Sequence, residues 1–584
     1  MRALIACLWL VAALLGQSPG GPQPNVLVIV ADDLGVDSIG CYQEGTDLPS
    51  TPNLDALAAR GVLFRNAYAY ASCSPTRAAL LTGRHPARTL VGRHITYHNN
   101  TNPRIGTLRA EEHTLPEVLQ RANLGYAHAA IGKWHLHDAT QGPDAPRQLG
   151  GFAHFAGTLG NDVGNYFGWP RTVDGSTATC TNYATQQVTD DALAWIGTQT
   201  GPWLCYLAYQ APHAPFHVPP AGTFTRTLGS PPTMRDKYLA MVEAMDYELG
   251  RLFATLGQAT LANTYVVFLG DNGTPQGIAV PPFLPNKAKT TPYEGGIRVP
   301  MLVAGPGVAV PGRTSDALVC AVDVFATALD VTQSTTALPP WLVIDGVSMA
   351  PYLQNPQQPP LRTYAFAEEF TGNEWPAPAQ NGNTVVRNDR YKLIHRMGGL
   401  VEMFDLQNDP REQFDLLATG PLSAPVQQNF IALVVERNRM RTPTAAWMPF
   451  GTGCSGAVGM PTTTCGAPPR FGSTMPIQLG NAAPHAFAVL ALGFDASMQG
   501  ATPLPMSLLP FGGGNGCNQW FRMDAVYATL ADATGSASIG LTVPNLPQLM
   551  EWPLYGGWFV FDLFAPPGTH RLTTARPIVG TLGY

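Results

Sequence analysis

Val26-Leu27-Val28-Ile29-Val30-Ala31-Asp32-Asp33 decides the reading of this chain: five consecutive apolar residues, four of them β-branched, then a small residue and two carboxylates. A continuous run of this kind suits a strand buried on both faces, where neither face tolerates polar groups. The arrangement recurs. Tyr126–Ile131 leads to Lys133 and His135, Trp203–Tyr209 to His213, and Thr264–Leu269 to Asp271 and Asn272. Open α/β sheets bind ligands beyond the carboxyl ends of their strands. Four such runs in one sheet would therefore deliver all these groups to one cleft. Three carboxylates and a carboxamide oxygen make a hard, oxygen-only donor set, suited to Ca²⁺ or Mg²⁺ rather than zinc.

Helical patterns separate the runs. Thr51-Pro52 opens one helix, with Leu54, Leu57 and Ala58 facing inward and Gly61 ending it. Met234 to Leu256 reads as a longer amphipathic helix. This alternation, from Asn25 to about Thr332, is the signature of an α/β domain. A smaller mixed segment follows from Leu361 to Arg441, with strands at Thr384–Arg387 and Tyr391–His395 and a closing helix from Pro425 to Arg437. Composition then shifts. Ala446 to Tyr584 holds four arginines and five acids, and no lysine occurs after Lys392. Its short apolar runs between turn signals, such as Ala486–Leu492 and Gly557–Leu563, predict a β-rich, sandwich-like module that supplies no catalytic group.

Cys73 lies in Ser72-Cys73-Ser74-Pro75-Thr76-Arg77-Ala78-Ala79-Leu80-Leu81-Thr82-Gly83-Arg84. Pro75 suits a first helical turn and Gly83 a helix stop. Cys73 then sits at a helix N-terminus, where N–H groups and the dipole favour anions, and Arg77 follows one turn later. The combination is a prepared site for a tetrahedral oxyanion beside a nucleophile.

The 584 residues carry a net charge of -6, which argues against a nucleic-acid partner, and 45% of them are hydrophobic, which excludes general disorder. Arg2 followed by the apolar run Ala3–Leu15 reads as a secretory signal over residues 1–21, too short to span a bilayer. The expected mature protein is secreted, periplasmic or at the cell surface, and not an integral membrane protein. Export permits disulfides, and Cys454 and Cys465, eleven apart in a loop-rich stretch, form a candidate pair. Asn99-Asn100-Thr101 is a formal glycosylation sequon.

In combination, these motifs resemble the type I sulfatases of the alkaline phosphatase superfamily. Cys73-x-Pro75-x-Arg77 with Leu80-Leu81-Thr82-Gly83-Arg84 resembles their signature. Asn25 to Asp33, Gly132-Lys133-Trp134-His135-Leu136, Ala211-Pro212-His213-Ala214-Pro215 and Gly270-Asp271-Asn272-Gly273 follow in the family's order. Lys289 precedes Tyr293-Glu294-Gly295-Gly296-Ile297-Arg298-Val299-Pro300 by the expected interval, and Phe404-Asp405-Leu406 through Asp409-Pro410-x-Glu412 resembles the late motif. Two of only five lysines, Lys133 and Lys289, fall on the family's two active-site lysine positions. His137 and Pro292 depart from the usual pattern.

The resemblance implies a mixed central sheet flanked by helices, alkaline phosphatase-like, over 24–340, a small α+β C-terminal subdomain over 341–445, and an accessory module over 446–584. It implies an exported sulfatase whose Cys73 is converted to Cα-formylglycine by the formylglycine-generating enzyme, with the formylglycine hydrate as nucleophile. Asp32, Asp33, Asp271 and Asn272, together with the modified Cys73, would hold Ca²⁺, ahead of Mg²⁺. Arg77, Lys133 and Lys289 would grip sulfate oxygens. His135 would assist regeneration of the aldehyde and His213 would protonate the leaving oxygen. The expected substrate is a sulfate ester, a sulfated carbohydrate above all, with loops Arg93–Arg109 and Gly157–Thr181 shaping its pocket. Two other readings stand beside this one: a phosphonate or phosphate ester hydrolase of the same superfamily, and a glycan-binding surface protein with an inactive catalytic domain.

Overall fold

The computed structural model describes residues 23–95, 107–110, 112–339, 342–370, 382–418 and 420–441, and segments between 448 and 581. The expected signal, the Asn99 sequon and the expected boundaries at 340/341 and 445/446 lie outside the described residues.

Ten strands form one mixed sheet: β1 (Asn25–Ala31), β2 (Gly61–Tyr68), β3 (Ala127–Lys133), β4 (His154–Thr158), β5 (Trp169–Val173), β6 (Ser176–Cys180), β7 (Trp203–Tyr209), β8 (Thr264–Gly270), β9 (Met301–Ala304) and β10 (Arg313–Cys320). Their order is β10-β2-β9-β8-β1-β7-β3-β4-β5-β6. The centre, β8-β1-β7-β3-β4, is parallel, while β9 and the β5–β6 pair run antiparallel to their neighbours.

The alternation of β1 explains the unbroken apolar run. Val26, Val28 and Val30 enter one apolar core with Leu204, Tyr206 and Ala208 of β7. Leu27, Ile29 and Ala31 enter a second core on the opposite face with Cys205, Leu207 and Tyr209. All seven residues of β1 are buried. Helices cover both faces, as βαβ crossovers require. The helix expected from Thr51-Pro52 spans Pro52–Arg60. The long one spans Met234–Ala262, with its regular run broken at Gly257, whose φ is 71°. Within Gly157–Thr181, expected to shape the pocket, residues 159–168 form the loop that follows β4, and β5 and β6 extend the sheet.

Four antiparallel strands follow, β11 (Ala365–Phe370), β12 (Gly382–Arg387), β13 (Tyr391–His395) and β14 (Val401–Asp405), with the helix Ala424–Arg441 against them. Ala365, Ala367, Val385, Ile394 and Phe404 of this sheet share a core with Tyr68, Ala79 and Tyr293. Beyond residue 448 the chain adds antiparallel sheets. Met475, Ile477 and Leu479 of a three-stranded sheet pack in one core with Leu490, Leu492, Trp558 and Val560 of a six-stranded one, the two-layer arrangement expected of a sandwich. The expected Cys454–Cys465 pairing is corrected: Cys454 is bonded to Cys517, 63 residues away. Cys465 lies in a strand paired with Thr474–Gly480, whereas Cys454 forms a bridge with Thr574. Sheet pairing thus draws the two cysteines apart, despite their closeness in sequence.

Candidate active site

Because β8, β1, β7 and β3 are adjacent and parallel, their carboxyl ends share one edge of the sheet. Ala31 stands opposite both Gly270 and Tyr209, so Asp32-Asp33 and Asp271-Asn272 emerge side by side. The two turns are stitched together: the Asp33 N–H donates to Asp271 Oδ1 at 3.0 Å, and Asn272 Nδ2 donates to Asp33 Oδ1 at 2.8 Å. Asp33 takes a left-handed φ of 70° and His135 one of 55°, the kind of backbone that persists only where surroundings over-determine it.

The Cys73–Thr82 helix supplies the other wall, and all ten of its residues are buried. It ends at Gly83, whose φ of 68° suits glycine, and a Cβ there would meet Phe325 at 2.5 Å. Cys73 is its first residue and Arg77 lies one turn on. Thr76 fixes the helix against β8, its hydroxyl donating to the Asp271 carbonyl at 2.6 Å while accepting from the Tyr70 N–H.

Charges inside the site are matched. Arg77, fully buried, donates from Nε and Nη2 to Asp271 Oδ2 at 3.1 and 2.7 Å, and from Nη1 to the Lys133 carbonyl at 2.9 Å. Lys133 Nζ lies 2.5 Å from Asp32 Oδ2, and Lys289 Nζ pairs with Asp33 Oδ1. Both amines face Cys73 Sγ, at 3.7 and 3.9 Å. Burial by itself would raise the Asp32 carboxyl. Lys133, then His213, Arg77 and Lys289, reverse this and hold it well below the usual carboxylate range. Burial pushes Asp271 up, and the charge of Asp32 adds to that. Burial, then Asp271 and Asp32, also push the Cys73 thiol well above its ordinary range, and it donates to Asp32 Oδ1 at 3.2 Å. An unmodified Cys73 is thus a neutral thiol, poorly suited to attack as thiolate.

Burial lowers the pKa of both candidate histidines. His213 donates from Nδ1 to the Ala214 carbonyl at 2.8 Å, so Nε2 faces Asp33 Oδ2 at 3.8 Å. Its pKa is lowered by burial, against the pull of Asp32 and Asp33. His135 donates from Nε2 to the Ile95 carbonyl at 2.8 Å, and burial followed by Lys133 lowers it strongly.

The residues could hold a metal ion. Asp32, Asp33, Cys73 and His213 present ligand atoms within 4.8 Å of one another. Asn272 Oδ1 points the same way chemically: it is a buried acceptor without a hydrogen-bond partner among the described residues, and such atoms call for an explanation such as an ion. Asp271 stands beside the four-residue group, its oxygens turned to Arg77 and the Asp33 N–H. All ten residues expected from the sequence, Asp32, Asp33, Cys73, Arg77, Lys133, His135, His213, Asp271, Asn272 and Lys289, therefore gather at one sheet edge. Two supports escaped sequence reading. One is Thr76, inside the cysteine motif. The other is Tyr166, whose hydroxyl lies 2.8 Å from both the Gln210 and His213 carbonyls.

A family model described as Sulfatase matches residues 24–334. The chain belongs to the sulfatase family. A second model, N-sulphoglucosamine sulphohydrolase, C-terminal, matches residues 288–437. N-acetylgalactosamine-6-sulfatase of Canis lupus familiaris is 34% identical over 378 residues, covering 58% of this chain and 68% of that protein. Arylsulfatase G of Homo sapiens is 30% identical over 431 residues, covering 65% and 77%. The crystal structure of Ps i-CgsB in complex with k-i-k-neocarrahexaose matches with a TM-score of 0.59 at 25% identity, over 72% of this chain and 93% of that one. Phosphonate monoester hydrolase of Agrobacterium radiobacter shares the fold, with a TM-score of 0.54 at 21% identity, over 72% and 96%. This sulfatase is of type I, in the alkaline phosphatase superfamily, and a sulfuric ester hydrolase. No helix among the described residues is long and apolar enough to cross a membrane.

Arg77 is the counter-charge that makes burial of Asp271 tolerable. Removing one partner of a buried pair costs about 3–5 kcal/mol. Arg77→Ala in this sulfatase is expected to lose that much unfolding free energy in a denaturant titration. A loss under about 1 kcal/mol would show that Asp271 finds other support.

Proposed function

We propose that this enzyme is an exported sulfatase that releases sulfate from a sulfated carbohydrate, using Ca²⁺ and a Cα-formylglycine made from Cys73. The supporting observation is the buried Cys73, with the Lys133 and Lys289 amines 3.7 and 3.9 Å from its sulfur, Arg77 3.7 Å from the neighbouring Asp32 carboxylate, and a thiol that burial and two carboxylates keep protonated. Formylglycine, introduced by the generating enzyme, would supply the oxygen nucleophile that a thiol cannot. Asp32, Asp33, Asp271 and Asn272 would hold the cation, whose charge helps neutralise the sulfate group.

The remaining chemistry belongs to the chain's own side chains. Lys133, Lys289 and Arg77 hold sulfate oxygens and stabilise charge as the S–O bond breaks. His213 keeps its Nδ1 proton on the Ala214 carbonyl, takes a second proton on Nε2 to become imidazolium, the form that Asp32 and Asp33 favour, and passes that proton to the departing ester oxygen. His135, held neutral, accepts a proton on its other ring nitrogen, Nδ1, when the nucleophile is regenerated. Residues 446–584 read as an accessory module that supplies none of these groups.

The carbohydrate reading has support at the site's border. Tyr166 grips the His213 segment, and beside it Phe167 is stacked on Tyr183 at 5.2 Å and edge-on to His217 at 5.4 Å, yet remains 43% exposed. A rigid, half-exposed aromatic face next to the proposed general acid suits a sugar ring. Among relatives, the named complex with neocarrahexaose is an oligosaccharide complex of that protein.

Peptide mass spectrometry of protein made with the converting enzyme tests the central claim: the Cys73 peptide is expected to lose sulfur and gain oxygen. Active enzyme carrying only thiol at Cys73 would overturn it. His213→Ala is expected to lower kcat/KM for a sulfated sugar by about 10²–10⁴-fold, and far less for an aryl sulfate whose oxygen leaves unaided. Equal losses would leave His213 a binding residue. Phe167→Ala is expected to raise KM for a sulfated oligosaccharide about fivefold, the equivalent of about 1 kcal/mol of stacking, without changing kinetics on a small aryl sulfate.

A further inference from the structure

Two of the motifs, Tyr293–Pro300 and Phe404–Glu412, contribute no group to the site, yet they meet beneath it. We propose that Lys392 and Glu412 are positioning residues: a buried ionic clasp, carried by the four-stranded sheet and the turn that follows it, that fixes segment 287–296 and through it Lys289 and Asn272. The proposal rests on the sulfatase reading of those two residues.

Lys392, on β13, is wholly buried. Its Nζ lies 2.9 Å from Glu294 Oε1 and 2.7 Å from Glu412 Oε1, the latter a close ion pair without the alignment of a hydrogen bond. Glu412 reaches across with its other oxygen, Oε2, which accepts the Glu294 N–H at 2.7 Å, at the start of the short helix Glu294–Ile297. Its carbonyl accepts from Lys287 Nζ, and that ammonium lies 4.6 Å over the Tyr293 ring. Glu294 is held from the far side too: Oε2 accepts from the Tyr68 hydroxyl at 2.9 Å and faces Arg298 Nε at 3.1 Å.

The clasped segment leads directly to the site. The Lys289 N–H donates to the Thr274 carbonyl at 3.0 Å, and its amine pairs with Asp33. The Gly273 N–H, next to Asn272, donates to the Gly296 carbonyl at 3.0 Å. The contact is so close that a Cβ on Gly273 would lie 1.9 Å from the Gly295 carbonyl oxygen. Gly295 and Gly296 offer no side chain by which this stretch could be anchored. A buried ion triad is a poor source of net stability, because desolvation offsets most of its attraction. Its directional bonds do fix where the main chain at Glu294 sits, and that main chain sets the distance between the sheet edge and the Lys289 loop. Glu412 itself adopts a left-handed φ of 57°, a conformation the surrounding contacts must hold.

The test uses the full-length, Cys73-converted enzyme and four variants: Lys392→Met, Glu412→Gln, the double variant, and Lys392→Arg. Kinetics on 4-nitrophenyl sulfate, the inhibition constant of inorganic sulfate and the melting temperature are read on each. The double variant removes one charge of each sign and is expected to fold. It should lower kcat and weaken sulfate inhibition, each by about 10- to 100-fold, the scale of a misplaced reacting group. Lys392→Met alone, which leaves two facing carboxylates, should be worse than the double. Lys392→Arg keeps the charge and the fold but displaces the carboxylates, so it should shift both constants in the same direction, and it decides the matter if the others do not fold. Any folded variant with kcat and sulfate inhibition within about twofold of wild type, whatever its melting temperature, overturns the proposal and leaves the clasp a structural tie. Wild-type enzyme with converted Cys73 but no sulfate release would instead count against the assigned site, so the two failures are told apart.

Discussion

Three carboxylates buried at one sheet edge, Asp32, Asp33 and Asp271, set the terms on which the rest of the molecule is arranged. An ion removed from water carries a penalty of several kcal/mol unless a partner meets it. Each carboxylate here is met by a cation from a different part of the chain: Arg77 from a helix, Lys133 from the end of β3, Lys289 from a loop after β8. No local stretch could supply this balance. The fold must bring residues some 200 positions apart into contact, as Arg77 and Asp271 are. Three positive and three negative side chains leave the protein shell near neutral. A bound dication would then give the site a surplus of positive charge, which is the condition for holding an anionic ester.

The same constraint accounts for three of the strained backbone positions in the chain. Asp33, His135 and Thr290 all take left-handed φ angles without being glycine, and all three are in or beside the site. Each is pinned by hydrogen bonds to a distant segment: Asp33 to Asp271, His135 to Leu159 and Ile95, Thr290 to Ala71. Strain of this sort costs about 1–3 kcal/mol per residue, and the apolar cores on both faces of the sheet supply what offsets it.

Much of the catalytic half was legible because burial and chemistry leave different marks on the sequence. A strand buried on both faces must be continuously apolar, and a site at its end must be polar, so the boundary at Ala31-Asp32 or Gly270-Asp271 is sharp. The long-range pairings left no such mark. Nothing in Gly157–Thr181 marks where loop gives way to β5 and β6, whose residues are largely exposed or half-buried and whose pairing runs to β4 and to each other. Cys454 and Cys465 looked like partners because spacing was the only cue, whereas strand register decides which sulfurs meet. Lys392 and Glu412 were visible as residues but not as a pair, since their contact with Glu294 exists only once two sheets have packed.

Fold alone does not select the reaction. A phosphonate monoester hydrolase shares this architecture at 21% identity, so the sheet is a platform on which related anionic esters can be cleaved. What distinguishes one chemistry from another is how the cations are spaced about the nucleophile and what lies at the rim. In this chain Lys133 and Lys289 approach Cys73 from two sides at similar distances, and the Tyr166–Phe167 turn is tied to the histidine segment by its own hydroxyl bonds. On the proposed reading the cations meet the sulfate group, which any sulfate ester presents. On the same reading the aromatic rim meets what the sulfate is attached to. Because the rim is joined to His213 through Tyr166, a change in that turn reaches both substrate choice and proton delivery, and the two would be expected to vary together among sulfatases built on this plan.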